Sequence, residues 1–109
     1  MSTDSFNKLV RDEIPRIIEA SGRVVTTRTL SDDEFGVELK KKLIEETQEF
    51  IESGTLEELA DILEVVFTLA SRLGADGQAL EQTRATKSSQ RGGFQNKVFL
   101  IEAQAPESS

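Results

Sequence analysis

The sequence contains neither cysteine nor histidine. The lack of cysteine excludes disulfides and thiolate metal sites, which fits an intracellular chain. The lack of histidine excludes the usual zinc and copper sites, and it removes the base of Ser-His-Asp and Cys-His nucleophile systems. Metal chemistry in this chain must therefore use oxygen ligands. Such ligands suit Mg²⁺ first, and Mn²⁺ or Ca²⁺ after it.

Long apolar runs and broad basic patches are missing as well. No segment approaches the roughly 18 apolar residues of a membrane-spanning helix, and the polar amino terminus is unlike a secretory signal. We therefore expect a soluble, cytoplasmic protein without a membrane partner. The formal net charge of −7 argues against binding to long nucleic acids. A small nucleotide that arrives with Mg²⁺ remains compatible with this charge.

The pattern of the 109 residues predicts one domain, because no linker rich in Pro, Gly or Ser divides the chain. The predicted fold is mainly α: a bundle of about four helices with an antiparallel central pair. A short β element is expected from residues 24–30 and 97–101, and the ends at 1–7 and 104–109 are expected to be flexible. A chain of this size with a modest core also favours self-association.

Capping and stop signals define the four predicted helices. Their expected limits are 12–20, 31–52, 55–73 and 76–89. The expected N-caps are Asp12, Ser31, Thr55 and Asp76. Glu34 and Glu58 each follow their cap by three residues, which is the spacing of a capping box. Because a short turn at Gly54 joins the two central helices, they are expected to be antiparallel neighbours.

Acidic residues fall inside the apolar stripes of these two central helices. At about 100° per residue, Glu46 lies roughly 20° from Leu39, near the centre of its stripe, and Glu49 lies on the edge. On the following helix Glu58 lies within the apolar arc and Asp61 just past its end. An unpaired carboxylate removed from water is costly or becomes protonated. Inward-facing acids on two successive helices therefore need a common cation, and Mg²⁺ is the best candidate.

The spacing of the acids allows them to converge on one interhelical groove. Glu45 and Glu49 are one turn apart, and Glu58 and Asp61 are three residues apart, so each pair points to one side of its helix. Four or five carboxylates would suit one or two Mg²⁺ ions that keep some water and take further oxygens from phosphates.

Simpler explanations apply to the same acids. Glutamates of this spacing occur on many solvated helices, because glutamate favours helix formation. Glu58 could serve only as the capping-box partner of Thr55. Three further acids project outward and are assigned to solubility: Glu52, Glu57 and Glu64.

Basic and aromatic residues near both ends are candidates for binding a substrate. They are Lys8, Arg11, Lys87, Arg91 and Phe94. The cations could offset phosphate charge, although each alone could be an ordinary surface residue. The two glycines at 92–93 would let the backbone approach a ligand, and Phe94 would offer a face to a base. The alternative for this segment is a helix stop followed by a core aromatic.

These segments resemble the all-α nucleoside triphosphate pyrophosphohydrolases, the MazG-like superfamily. The EETQE of 45–49 together with the ELAD of 58–61 is similar to its EExxE and ExxD metal motifs. The KLVRDEIP of 8–15 and the RGGF of 91–94 look like the end signatures of its small, house-cleaning members. Only eight residues separate Glu49 from Glu58, fewer than in the longer MazG-type enzymes, which implies a smaller loop and pocket.

The resemblance implies a magnesium-dependent hydrolase, with Mn²⁺ as a possible substitute. A nucleoside triphosphate would be cleaved between its α and β phosphates to give the monophosphate and pyrophosphate. The implied metal ligands are Glu45 or Glu46, Glu49, Glu58 and Asp61. In such a hydrolysis Glu46 and Glu49 are the candidates to orient the attacking water. The family also implies a homodimer or higher oligomer. Two alternatives stand beside this function: a non-enzymatic helical binding or regulatory module, and a nucleotide-binding relative without activity.

Overall fold

The computed structural model describes residues 2–107 and confirms a mainly α-helical bundle. Its helices are α1 (Ile14–Ala20), α2 (Asp32–Ser53), α3 (Leu56–Arg72) and α4 (Gly77–Arg91). Among these helices none is long and apolar enough to cross a membrane. The predicted flexible ends include Met1, Ser108 and Ser109, which lie outside the described residues.

Local capping chemistry defines the start of each longer helix. At α2 the Ser31 hydroxyl accepts the Glu34 N–H, and the Glu34 carboxylate accepts the Ser31 N–H, both at 3.2 Å. At α3 the Thr55 hydroxyl accepts the Glu58 N–H at 3.3 Å, but among the described residues the reciprocal bond is not made. The capping-box prediction is therefore confirmed for α2 and half right for α3, where the Glu58 carboxylate is left for another contact.

The connection between α2 and α3 is the shortest in the bundle. Gly54 has a φ of 65°, in the left-handed region, and its N–H bonds to the carbonyl of Phe50. Thr55 then caps the next helix directly. The reversal over two residues places α2 and α3 side by side and antiparallel, as predicted.

The buried core is small and consists of residues of α2 and α3. Its buried apolar residues, within the described part of the chain, are Leu39, Val65 and Ala70. The carboxylate-bearing Glu46 is buried with them, at 7% exposure. At the open end of the pair, the Arg72 guanidinium lies 5.5 Å from the centre of the Phe35 ring, a cation–π contact that joins the end of α3 to the start of α2.

The predicted β element is wrong for residues 24–30 and 97–101. Neither segment forms a strand, and no backbone hydrogen bond joins the two. Val24 is 96% exposed and Phe99 is 87% exposed. β-branched side chains favour extended backbone, but a strand also needs a partner for its N–H and C=O groups. Neither segment has one in residues 2–107.

Asp12 is not the N-cap of α1, contrary to the prediction. The helix begins at Ile14, and Glu13 occupies the cap position without a side-chain hydrogen bond. A backbone bond from the Ile14 N–H to the Arg11 carbonyl satisfies the first donor instead. Pro15 has no N–H to satisfy, so little need remains for an acidic cap. The Asp76 cap of α4 is confirmed, since its carboxylate accepts the Ala79 N–H at 2.8 Å.

Candidate metal centre

Three carboxylates from two helices meet at one side of the α2–α3 pair. Glu46 belongs to α2, and Glu58 and Asp61 belong to α3. One oxygen atom from each lies within 4.8 Å of the others. We call these three residues the acidic cluster. The antiparallel turn produces it, because Glu58 in the first turn of α3 is brought back beside the last turns of α2.

Two oxygen atoms of the acidic cluster are buried without a hydrogen-bond partner. They are Oε2 of Glu46 and Oε2 of Glu58. A buried acceptor that gives up water without gaining a donor is costly, and the cost rises when the group is ionised. In folded proteins, most buried polar atoms have a hydrogen-bond partner. These two oxygens therefore indicate a place where a cation or a proton is held.

The electrostatics of the acidic cluster oppose ionisation. Burial raises the pKa of the Glu46 carboxyl, and the neighbouring Glu49 carboxylate raises it further, against an opposing effect of Lys42. Burial also raises the pKa of Glu58, followed by the charges of Glu49 and then Asp61. Glu49 therefore lies close enough to act on both carboxyls. A divalent cation at this place would reverse these effects and favour the ionised forms.

Glu45 lies at the edge of the acidic cluster, where two lysines pair with it. Lys8 donates to its Oε1 at 3.1 Å, and Lys42 donates to its Oε2 at 3.3 Å. Burial opposes ionisation of Glu45, but the hydrogen bonds from the two lysines outweigh it and lower the pKa of its carboxyl. Both oxygens of this predicted ligand are thus already satisfied.

The segment before α1 lies along the acidic side of the helix pair. Arg11 Nη2 donates to Asp61 Oδ1 at 2.7 Å, and Lys8 contacts Glu45 as described. Both cations keep about half of their side chains exposed, at 43% for Lys8 and 52% for Arg11. Two of the predicted phosphate contacts are therefore placed beside the predicted metal ligands.

The other predicted substrate contacts are not brought to the acidic cluster by any hydrogen bond or ion pair of the described residues. Lys87 lies on α4, where it lines a shallow depression with Ala79 and Thr83. Arg91 is the last residue of α4 and is exposed. Phe94 is 96% exposed, so it is not the core aromatic that the alternative interpretation expected.

Lys42 is the residue that the sequence interpretation missed. Its ammonium group lies 3.3 Å from carboxylate oxygens of both Glu45 and Glu46, and only 15% of its side chain is exposed. The signal was available, because a lysine three and four residues before two glutamates lies on the same helix face. Lys42 is therefore the intramolecular counter-ion of Glu46, the buried acid of α2.

The donor set fits a hard divalent cation. Carboxylate oxygens are the ligands that Mg²⁺ prefers, and the chain has no softer alternative. The decisive observation is that Glu46, a member of the acidic cluster, is more than nine-tenths buried and has one oxygen without a hydrogen-bond partner. The residues that would hold the ion are Glu46, Glu58, Asp61 and, beside them, Glu49.

Comparisons with known proteins leave the family open. No protein-family model matches the chain, and no solved structure matches it. An uncharacterized protein of Mycolicibacterium smegmatis (strain ATCC 700084 / mc(2)155) is 57% identical over 42 residues, which is 38% of this chain. The match covers 43% of the length of that relative. Its name states no activity, so the site itself carries the functional argument.

Proposed function

We propose that the chain hydrolyses a nucleoside triphosphate to the monophosphate and pyrophosphate in a Mg²⁺-dependent reaction that clears the cytoplasmic nucleotide pool. The observation that carries the proposal is the acidic cluster with its two unpaired, buried oxygens. The resemblance of the acidic and terminal segments to MazG-like enzymes supplies the reaction class. The cations Lys8 and Arg11 beside the acidic cluster supply charge for a polyphosphate.

Each acid has a place in this reaction. The ion would be held by Glu46, Glu58 and Asp61, with Glu49 at their edge. Bound there, Mg²⁺ would neutralise phosphate oxygens and polarise the reacting phosphoryl group. Glu46 is buried and engaged with Lys42, whereas Glu49 is more open to solvent. Glu49 is therefore the better placed of the two to orient a water and accept its proton.

The reaction needs no covalent intermediate with the protein. The oxygen of the oriented water forms a bond to the α-phosphorus, and the bond from that phosphorus to the bridging oxygen breaks. Pyrophosphate leaves with the electron pair of the broken bond, and the carboxylate of Glu49 holds the proton of the water. Lys8 and Arg11 would exchange their carboxylate partners for phosphate oxygens when substrate binds.

Product analysis tests the proposal directly. The full chain is incubated with a panel of canonical and modified ribo- and deoxyribonucleoside triphosphates and Mg²⁺, and monophosphate and pyrophosphate are quantified. We expect equal amounts of the two products. Glu49→Gln and Asp61→Asn should each lower turnover by about 100-fold or more while the circular dichroism spectrum is retained. Glu52→Gln, an exposed acid of the same helix, is the matched control. Unchanged turnover in both site variants would refute the assignment.

A second candidate function is a non-enzymatic helical module. It is favoured by one observation: three cations of the chain already pair with predicted metal ligands. Lys8 pairs with Glu45, Arg11 with Asp61, and Lys42 with Glu46. In that case the acids would hold the amino-terminal segment on the bundle. This function predicts no turnover with any triphosphate. An inactive relative would instead bind a nucleotide with Mg²⁺ and release it unchanged.

A further inference from the structure

A groove with two cations lies at the open end of the α2–α3 pair, where the end of α3 meets the first half of α2. Its volume is about 490 Å³, within the range of pockets that bind small molecules. We call it the cationic groove. Its lining residues are Gly36, Lys40, Leu43, Leu69, Arg72 and Leu73. The groove and the acidic cluster have no residue in common.

Both cations of the groove lack an acidic partner within residues 2–107. The chain has 13 lysines and arginines, and eight of them form ion pairs. Lys40 and Arg72 are not among these eight, although the chain carries 20 acidic residues. In a chain with a net charge of −7, two cations that share one groove and no carboxylate form a local region of positive potential. The groove is therefore electrostatically suited to an anion.

The Arg72 guanidinium is held in the groove by two neighbours of α2. It lies 5.5 Å from the centre of the Phe35 ring, and its Nη2 lies 2.8 Å from the position that a Cβ of residue 36 would take. Gly36 therefore leaves the space that the guanidinium occupies. Glycine is less favourable than alanine inside a helix, so α2 gives up some stability at this position while the guanidinium keeps its place.

Three leucines supply the apolar part of the lining. Leu43 and Leu69 are half-buried, and Leu73 is 87% exposed at the end of α3. One exposed leucine is ordinary, but three leucines in one groove offer an apolar surface beside the cations. A small inorganic anion would use the cations alone. The combination suits a molecule that has both an anionic group and an apolar body.

We propose that the cationic groove binds a small anionic amphiphile, a molecule with one carboxylate or phosphate head and an apolar body. In the complex Arg72 donates two N–H groups to two oxygens of the head, and Lys40 adds a point charge. The leucines of the groove contact the body. Because the ligand touches both helices, its binding stabilises the open end of the pair. The proposal is independent of the proposed hydrolysis.

An NMR titration of the full chain tests the proposal. The anionic probes are octanoate and octyl phosphate, 1-octanol is the neutral probe, and acetate is a head without a body. We expect an anionic probe to shift the backbone amide signals of Gly36, Leu69 and Leu73, with a dissociation constant of about 1 mM or lower. Binding of either anionic probe supports the proposal, and the tighter one identifies the head. 1-Octanol and acetate should each bind at least about 10-fold more weakly. Equal binding of 1-octanol, or shifts confined to residues outside the groove, would overturn the proposal.

Removal of either charge tests the role of the two cations. Arg72→Gln and Lys40→Gln should each weaken binding of the tighter anionic probe by about 10-fold. Lys41→Gln is the matched control, because this neighbouring lysine pairs with Glu38 and does not line the groove. Unchanged affinity in both groove variants would refute the assignment.

Gly36→Ala separates binding from folding. The added methyl group displaces the guanidinium, which is the far end of a flexible side chain, while alanine favours the helix. We expect an unchanged or higher melting temperature together with about 10-fold weaker binding of the same probe. Gly77→Ala is the control, since its Cβ would make only an ordinary contact with Phe67, at 3.5 Å. A Gly36→Ala chain that binds the probe as tightly as the wild type would contradict the proposed site.

Discussion

Glu46 combines burial with incomplete pairing. One of its oxygens lies 3.3 Å from the Lys42 ammonium, while the other is buried without a partner. Burial and the neighbouring Glu49 raise the pKa of its carboxyl. In the absence of a metal the ionised carboxylate therefore lowers the free energy of unfolding. A cation bound beside it would raise that free energy again.

This balance predicts opposite effects of Glu46→Gln on stability and on binding. Without Mg²⁺ the variant should be more stable than the wild type, by about 1 kcal/mol, because a buried, poorly paired charge is removed. Mg²⁺ binding should be lost, since the amide is a neutral and weaker ligand. Urea denaturation and isothermal titration calorimetry measure the two effects. Glu52→Gln is the control, and a destabilised variant that still binds Mg²⁺ would show that Glu46 has a purely structural role.

Arg11 competes with a cation for Asp61. Its guanidinium donates to Asp61 at 2.7 Å, but both side chains are substantially exposed, so the pair is worth less than about 1 kcal/mol. Arg11→Ala should therefore bind Mg²⁺ about two- to fivefold more tightly in calorimetry. Arg16→Ala removes an arginine that pairs with Glu13 instead, and it should leave the Mg²⁺ affinity unchanged. Weaker Mg²⁺ binding by the Arg11 variant would show that the arginine supports the site.

At the level of elements, the amino terminus of α2 depends on an ionised carboxylate. Hydrogen bonds from the Arg28 guanidinium and then from the Ser31 backbone lower the pKa of Glu34 to about 2. Its ordinary value is 4.5. Because the pKa is lower in the folded chain, the contribution to stability is complete above pH 4.5 and is lost as the pH falls toward 2.

Glu34→Gln makes this dependence measurable. At pH 6 the variant should melt at a lower temperature than the wild type, since it has lost a charged partner of Arg28 and of the helix amino terminus. The difference between the two melting temperatures should shrink between pH 4.5 and about 2, where Glu34 itself becomes protonated. Thermal melts followed by circular dichroism at 222 nm give this difference. A gap that stays constant down to pH 2 would exclude the proposed contribution.

The helices could be predicted because their signals are local. Ser31 with Glu34 defines the start of α2 within one turn, and Gly54 defines its end through its own φ angle. The β element failed because its formation depends on a partner strand that composition does not reveal. The prediction of Asp12 as N-cap was wrong for a related reason. The backbone carbonyl of Arg11 accepts the Ile14 N–H, which a side chain was expected to accept.

For the candidate site, the direction of each side chain around its helix could be predicted from the sequence, whereas its burial and its partners could not. Helical periodicity placed Glu46 among apolar residues, and the short turn brought α3 back beside it, so three of the five predicted acids, Glu46, Glu58 and Asp61, lie together. Glu45 points further from the stripe, and two lysines satisfy it. The position of Phe94 depends on how the chain continues after α4, about which local spacing says nothing. Its role and those of the other substrate contacts stay predictions.

For the whole molecule, the core is sparse: within residues 2–107 the buried apolar residues are Leu39, Val65 and Ala70. The free energy of unfolding is therefore expected to respond to anything that binds the folded chain, such as a cation at the acidic cluster or a second copy in the predicted homo-oligomer. The exposed Ile44 lies on the side of α2 away from the buried Leu39 and is not part of the acidic cluster, so the two contributions are expected to be independent.

If the effects of dimerisation and of Mg²⁺ on stability are independent, the melting temperatures follow a specific pattern. If folding is coupled to dimerisation, a 100-fold increase in protein concentration should raise the melting temperature by about 5 to 10 °C. Mg²⁺ should add the same further increase at either concentration. Ile44→Glu should remove the concentration dependence and keep the Mg²⁺ effect, whereas Glu46→Gln should do the reverse. Differential scanning fluorimetry over a concentration series measures both. A melting temperature that is independent of concentration would mean that one chain folds alone, and a loss of both effects in either variant would mean that the two surfaces are coupled through α2.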